Sequence, residues 1–194
     1  AMSQIDTILS LIARKHLGLD TLETRHADSL DFHDTAVWCI RDALEAAFKE
    51  ATAGGNGATL LLSNPHSPTG TVHSRAELEM VAQLARKYGV RVISDEIHSP
   101  LVMPTSTLTP YLSVANTEQD FAVVSASKGW HLAGFKAAVA VAGADSLETL
   151  HAPMLRGAGH IGVIAHTAAF NDARDWLDAA IGGIDINRRL LADL

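Results

Sequence analysis

The chain has 194 residues, of which 47% are hydrophobic, and its formal net charge is −7. This length suits one ordinary domain or two small ones, and the hydrophobic fraction is typical of a globular protein with a core. The acidic balance argues against a nucleic-acid-binding protein, which usually carries a basic patch. No apolar run approaches the roughly 20 residues that span a bilayer. The single cysteine, Cys39, has no partner for an internal disulfide, so a cytoplasmic location is the default expectation.

The first 51 residues have the pattern of a helical hairpin domain. Apolar residues recur at helical spacing in residues 3–19, where Gly18 is a plausible C-terminal stop, and again in residues 33–51, where Asp31 or Asp34 is a candidate N-cap. The Gly/Asn-rich segment 52–58 is predicted to be a linker. Two helices make only a thin core, so this hairpin is expected to pack on other parts of the chain or on a second copy.

The rest of the chain, residues 59–194, alternates predicted strands with predicted helices. Ser74 and Glu77 have the spacing of a capping box at the start of a helix over 74–89, and Gly89 ends it. Strand–helix alternation predicts an α/β fold, a mostly parallel sheet with flanking helices. The predicted strands are 59–63, 90–94, 121–125 and 137–143, and further helices are predicted over 147–157, 160–173 and 175–194.

Polar side chains follow three of the predicted strands at the point where each strand ends. Asn64 follows the first strand, Asp95 and His98 follow the second, and the segment Ser125–Lys128 ends the third. Ligands of parallel sheets collect at the carboxyl ends of the strands. An amide, a carboxylate and an amine that converge there suit a heteroaromatic cofactor better than a simple hydrolytic site.

The segments "NPHSPTG", "SDEIH" and "SASKGWHLAGFK" occur in this order. Together they resemble the motifs of the fold-type I pyridoxal-phosphate enzymes, the class I/II aminotransferases, and most closely their C–S β-lyase (cystathionine β-lyase-like) branch. The resemblance covers about residues 58–194. It implies that Lys128 forms the Schiff base with pyridoxal 5′-phosphate, that Asp95 pairs with the pyridine nitrogen and that Asn64 bonds the ring hydroxyl. By the same resemblance, Ser125 and Lys136 face the phosphate, with Ser127 and His98 nearby.

The implied activity is β-elimination from a cystathionine-type sulfur amino acid. A Schiff-base lysine needs a lowered pKa, which desolvation and neighbouring cations can supply. An aspartate keeps the ring nitrogen protonated, so that the cofactor can act as an electron sink. Transamination remains open, because it would use the same Lys128, Asp95 and Asn64.

Other interpretations of these residues are weaker. Ser125 to Lys128 also fits the S-x-x-K pattern of some serine hydrolases, but the S-D-N and K-T-G elements that accompany it are missing. Five histidines lack the paired spacing of a metal site, so no metal is predicted: His66, His73, His131, His151 and His160.

The resemblance also predicts a truncated domain, because members of that family are about twice as long. The chain is expected to lack the glycine-rich phosphate turn, the stacking aromatic residue and the substrate-binding arginine, and therefore to bind cofactor weakly and turn over poorly. Residues 3–50 resemble a small uncharacterised helical family. An incomplete sheet favours self-association, so a homo-oligomer is expected, and a non-catalytic oligomerising or interaction protein remains an alternative.

Overall fold

The computed structural model describes residues 4–25, 37–55, 57–150 and 157–192. The chain forms two compact units. The first unit comprises residues 1–58 and 83–90, and the second comprises residues 59–82 and 91–194. The predicted division into a hairpin, a linker and a larger domain stays a prediction.

The first unit contains the two expected N-terminal helices. Helix α1 spans Gln4–Ile12 and continues as a π-helix over Ala13–Leu17, and helix α2 spans Val37–Thr52. Gly18 ends the first helix in the left-handed conformation with φ +69°, where glycine has no Cβ penalty, and its N–H donates to the Ala13 carbonyl. The candidate N-caps Asp31 and Asp34 lie outside the described residues.

The buried side chains of the first unit include Ala13, Ala43 and Phe48. A polar contact also holds this unit, because the Tyr88 hydroxyl donates to Glu45 Oε1 over 2.7 Å and Lys87 pairs with the same carboxylate. These two hydrogen bonds, that from Lys87 first, lower the pKa of Glu45.

Helix α3 spans Arg75–Tyr88, and the predicted capping box is confirmed at its start. The N–H and the hydroxyl of Ser74 each donate to Glu77 Oε2 over 2.7 Å, and the Glu77 N–H donates to Ser74 Oγ over 3.3 Å. These bonds pair two backbone N–H groups at the start of the helix. Gly89 follows the helix with φ +66°.

Four strands form one sheet in the order β1-β2-β3-β4. The strands are β1 (Ala58–Ser63), β2 (Val90–Asp95), β3 (Phe121–Val124) and β4 (Val139–Ala142). Strands β2 and β3 are parallel, with Asp95 opposite Val123, whereas β4 runs antiparallel to β3. The predicted mostly parallel sheet is confirmed, and its last strand is shorter than expected.

In the residues that the structure describes after the third strand, three α-helices are present. They are the short α4 (Ala126–Gly129), α5 (His160–Asp172) and α6 (Arg174–Ala192). Trp130, Ala169, Leu177 and Ile181 join these elements in one buried cluster, and the Trp130 Nε1–H donates to the Ala173 carbonyl between α5 and α6. The break predicted at Asp172 is therefore confirmed.

The helix predicted over 147–157 differs from the structure. Only a 3₁₀ turn, Leu147–Thr149, is present in its described part, and residues 151–156 lie outside the described residues. In the part of the chain that the structure describes, no helix has the length and apolar character needed to cross a bilayer.

Candidate active site

The carboxyl ends of β1, β2 and β3 meet at one edge of the sheet. The Asn64 N–H donates to the Asp95 carbonyl over 2.9 Å, and the Glu96 N–H donates to the Val123 carbonyl over 2.9 Å. Backbone hydrogen bonds thus connect the end of β1 to that of β2, and the end of β2 to that of β3. The sequence expectation that these three strand ends are neighbours holds.

Asn64 is fully buried at this edge, with 0% of the residue exposed. Its Nδ2 donates to the Thr109 carbonyl over 3.0 Å. Its Oδ1 is buried without a hydrogen-bond partner. A buried amide oxygen without a partner is costly, so this atom is a candidate contact for a ligand. The peptide bond from Asn64 to Pro65 is cis, as is that from Ser67 to Pro68 in the same loop.

Asp95 and His98 are half-buried where β2 runs into a turn. Asp95 Oδ1 accepts the Ile97 N–H over 3.1 Å, which fixes the carboxylate close to its own backbone. His98 precedes the 3₁₀ turn Ser99–Leu101 and lines a cavity of about 290 Å³. The "NPHSPTG" loop contributes five residues to the same cavity, namely Pro65, His66, Ser67, Pro68 and Gly70.

Ser125 and Ser127 come together immediately after β3. Ser125 is the N-cap of α4, and its Oγ accepts the Ser127 N–H over 3.1 Å. The two hydroxyl oxygens lie 2.7 Å apart, and Ser125 Oγ also donates to the Ala137 carbonyl over 2.7 Å. Ser125 was expected to be the last strand residue, but its hydroxyl caps a helix instead, which ends the strand at Val124.

Lys128 lies on α4, and its side chain is exposed. The desolvated surroundings that a Schiff-base lysine needs are therefore not formed around it by the residues that the structure describes. Lys136 is also exposed and has a left-handed backbone with φ +48°, which is uncommon for a residue with a side chain. Within the described residues, neither lysine forms a hydrogen bond with Asn64 or Asp95.

The structure also places Glu96 at this edge, a residue that was not predicted from the sequence. Only 4% of Glu96 is exposed, and its Oε1 accepts the Ser94 hydroxyl over 3.1 Å and the Tyr111 N–H over 2.7 Å. Burial raises the pKa of this carboxyl, and the hydrogen bonds from Tyr111 and Ser94 oppose that rise. The sequence signal that could have indicated the burial of Glu96 is the two-residue period of the strand. Along this period, Val90, Val92, Ser94 and Glu96 are all buried.

Residues 32–193 match the family model described as "Aminotransferase class I and II". The chain belongs to this family. Residues 4–53 also match a "Family of unknown function (DUF6900)", so the two matches overlap in the region of α2.

The relatives of the chain include proteins named as lyases. It is 52% identical over 158 residues to a "Putative cystathionine beta-lyase" of Mycobacterium leprae. This alignment covers 78% of this chain and 39% of that protein. It is 33% identical to the "Cystathionine beta-lyase" of Corynebacterium glutamicum, over 78% of this chain and 43% of that protein. The chain therefore spans about 40% of the length of these relatives.

A solved structure shares the fold of the described sheet and helices. Cystalysin from Treponema denticola, which contains a pyridoxal 5′-phosphate cofactor, superposes with a TM-score of 0.69 at 26% sequence identity. The match covers 79% of this chain and 40% of cystalysin. The recognised family and the mostly parallel sheet with flanking helices are thus both confirmed.

Proposed function

We propose that this chain is the part of a pyridoxal-phosphate-dependent C–S β-lyase that carries the cofactor lysine, and that its substrates are sulfur amino acids of the cystathionine type. The observation that supports this most is the meeting of three strand ends, where Asn64 N–H bonds the Asp95 carbonyl and Glu96 N–H bonds the Val123 carbonyl. The motifs that resemble this enzyme class therefore lie on adjacent strands.

The residues at this edge fit the chemistry of the cofactor. The buried Asn64 Oδ1 has no protein partner, so a ligand with a hydrogen-bond donor would satisfy it. Asp95 supplies a carboxylate that can stabilise a protonated ring nitrogen. Ser125, Ser127 and Lys136 supply hydroxyls and a positive charge suited to a phosphate, and His98 lies at the next turn.

Lys128 is the proposed catalytic residue. Its amine would hold the cofactor covalently and, once a substrate amine has replaced it, would take the proton from the substrate Cα at Nζ. When bound, pyridoxal phosphate supplies an electron sink for the charge that remains. The Cβ–S bond then breaks and the sulfur leaves with the electron pair, which leads to pyruvate and ammonia after hydrolysis.

A second candidate is transamination, which the family's own description favours. In transamination, Lys128 would deliver the proton to the cofactor. The substrate would then keep its sulfur. The two reactions share the proposed catalytic residue but give different products. Elimination releases pyruvate, whereas transamination yields a 2-oxo acid that keeps its sulfur side chain.

Product analysis tests the proposed reaction. The purified chain, at high concentration and over a long incubation because low turnover is expected, is mixed with pyridoxal phosphate and cystathionine. We expect pyruvate and ammonia in equal amounts, and neither with Lys128→Ala. A sulfur-containing 2-oxo acid without pyruvate would contradict the lyase and favour the aminotransferase. Loss of an absorbance band in the visible range on borohydride reduction reports cofactor binding separately from turnover.

The proposal also includes self-association of the chain and a cytoplasmic location. Strand β4 is an outer strand of the described sheet, and its Val139 and Val141 are 47% and 42% exposed. An exposed apolar edge strand favours pairing with another chain, and a homo-oligomer would protect it. Cys39 has no disulfide partner, which suits a reducing compartment. Light scattering of the purified chain should give a mass above that of the monomer, and Val141→Lys should lower this measured mass. A non-catalytic oligomerising chain would show the first result without any product.

A further inference from the structure

We propose that the groove between α1 and α2 is a self-association surface, and that its occupant is the same pair of helices from a second copy of this chain. The two pairs together form a four-helix bundle. This inference shares with the proposed function only the expectation of a homo-oligomer. It concerns a surface other than the edge of β4, and it does not depend on the cofactor or on the reaction.

The groove lies within the first unit and has a volume of about 720 Å³. Its apolar lining residues are Ile8, Leu11, Ile12, Ala46 and Ala53. Those from α1 have the spacing of one helix face, and yet Leu11 is 60% exposed. Within their described residues, the two helices bury only three apolar side chains to 9% exposure or less, namely Ala13, Ala43 and Phe48. So thin a core leaves an apolar face that needs a cover.

The two walls of the groove carry opposite charge. The wall from α1 and its π-helical end contributes Lys15 and His16. The wall from α2 contributes three acids and one lysine, namely Asp42, Glu45, Glu50 and Lys49. Glu45 is already paired with Lys87, and the remaining two acids still outnumber the lysine. One wall is therefore basic and the other acidic.

This charge pattern is complementary to a second copy of itself. In a pair related by a two-fold axis, each contact between two different residues occurs twice, once in each direction. If α1 of each copy lies against α2 of the other, the basic wall meets the acidic wall at both contacts, and the apolar faces cover each other. Pairing α1 with α1 would place Lys15 against its own copy, where like charges repel. Charge complementarity therefore selects the crossed arrangement.

Leu11→Ser tests the apolar part of this interface, and Leu9→Ser is its matched control. Leu9 is also an exposed leucine of α1, at 46%, but it does not line the groove. Each variant is made in the full chain with Val141→Lys, which removes pairing at the edge of β4, and sedimentation equilibrium gives the dimer dissociation constant. We expect the Val141→Lys chain to be a dimer. Leu11→Ser should raise its dissociation constant by at least about tenfold, because each dimer holds two copies of Leu11, and Leu9→Ser should change it by less than about twofold.

Charge reversal tests whether the walls pair between copies. Lys15→Glu makes the α1 wall acidic, and Asp42→Lys combined with Glu50→Lys makes the α2 wall basic. At low ionic strength, either variant alone should have a dissociation constant at least about tenfold higher, because both contacts then join like charges. An equimolar mixture of the two should associate to within about threefold of the parent, because both contacts again join unlike charges. Mixing cannot restore a pairing within one chain.

Three results would overturn the inference. They are a Val141→Lys chain that stays monomeric at its highest soluble concentration, equal weakening by Leu9→Ser and Leu11→Ser, and a mixture of the reversed variants that remains monomeric. Circular dichroism shows whether each variant keeps its helices, and the two leucine variants decide the question if a reversed variant does not fold. None of these measurements uses pyridoxal phosphate, so a failure to bind cofactor would overturn the proposed reaction alone.

Discussion

Glu96 Oε1 accepts the backbone N–H of Tyr111 over 2.7 Å, and through this bond the end of β2 is tied to the turn Tyr111–Ser113. Tyr111 is itself fully buried and donates its hydroxyl to Asp120 over 2.9 Å. Two buried acids therefore bond the same tyrosine: Glu96 accepts its backbone N–H, and Asp120 accepts its hydroxyl. The carboxyl edge of the sheet is held by polar bonds as well as by apolar packing.

Two helical glycines should respond to alanine with opposite signs. A Cβ at Gly162 on α5 would lie 2.6 Å from the Phe135 carbonyl oxygen, whereas a Cβ at Gly183 on α6 would meet no atom within 4 Å apart from its chain neighbours and the backbone of its own helix. We expect Gly162→Ala to reduce the free energy of unfolding by about 1–3 kcal/mol. Gly183→Ala should increase it by about 1 kcal/mol, because alanine favours the helix. Urea unfolding measures both, and a stabilised Gly162→Ala would contradict the described contact of α5.

The capping box of α3 should contribute to stability in a pH-dependent way. Two hydrogen bonds from Ser74, that from its hydroxyl first, lower the pKa of Glu77 below 4.5. The stabilisation is therefore complete above the unfolded pKa and is lost as the pH falls through the folded pKa. At pH 7, Ser74→Ala and Glu77→Gln should each cost about 1 kcal/mol in urea unfolding.

Glu79 provides the control on the same helix. It pairs with Arg75 at 3.7 Å on the surface. Glu79→Gln should cost only about 0.3–0.5 kcal/mol, the usual contribution of an exposed ion pair of this spacing. A cost equal to that of Glu77→Gln would mean that lost charge, and not lost capping, explains the effect.

The buried imidazole of His166 should make the chain less stable at mildly acidic pH. His166 is 9% exposed, its Nε2 has no hydrogen-bond partner, and burial lowers its pKa below 6.5. Stability from the neutral ring is thus present above pH 6.5 and is lost as the pH falls through the folded pKa. Thermal unfolding between pH 7.5 and about 5 should show this loss in the unsubstituted chain, and a smaller loss in His166→Leu.

The exposed His160 on the same helix is the matched control for this pH dependence. His160→Gln should retain the acid-dependent loss of stability. If His166→Leu and the unsubstituted chain lose stability equally over this range, the imidazole of His166 is not the group responsible.

Short apolar runs, helical spacing and helix-end signals predicted most of the fold. They placed β1, β2, β3 and α3 to within about one residue of their observed bounds. The direction of β4 could not be predicted in this way, because its apolar residues fit either a parallel or an antiparallel pairing. The π-helix Ala13–Leu17 was also missed, since its apolar spacing does not differ from that of an ordinary helix end.

The part of the candidate site that the sequence could predict is the set of residues at the ends of adjacent strands. Asn64, Asp95 and Ser125 follow strand ends, so sheet topology alone makes them neighbours. Glu96 was missed because its polar side chain occupies a buried position that the strand period assigns to apolar residues. The exposure of Lys128 could not be inferred, because α4 has only four residues and no period that would assign it a face.

The most direct test of the central claim is the position of covalent capture. The chain is incubated with pyridoxal phosphate, reduced with borohydride, digested and analysed by mass spectrometry. We predict that the label lies on the peptide with Lys128, that Lys128→Ala removes it, and that Lys87→Ala, which alters an exposed lysine paired with Glu45, retains it. Label spread evenly over the exposed lysines, and unchanged in Lys128→Ala, would contradict the assignment of Lys128 as the cofactor lysine.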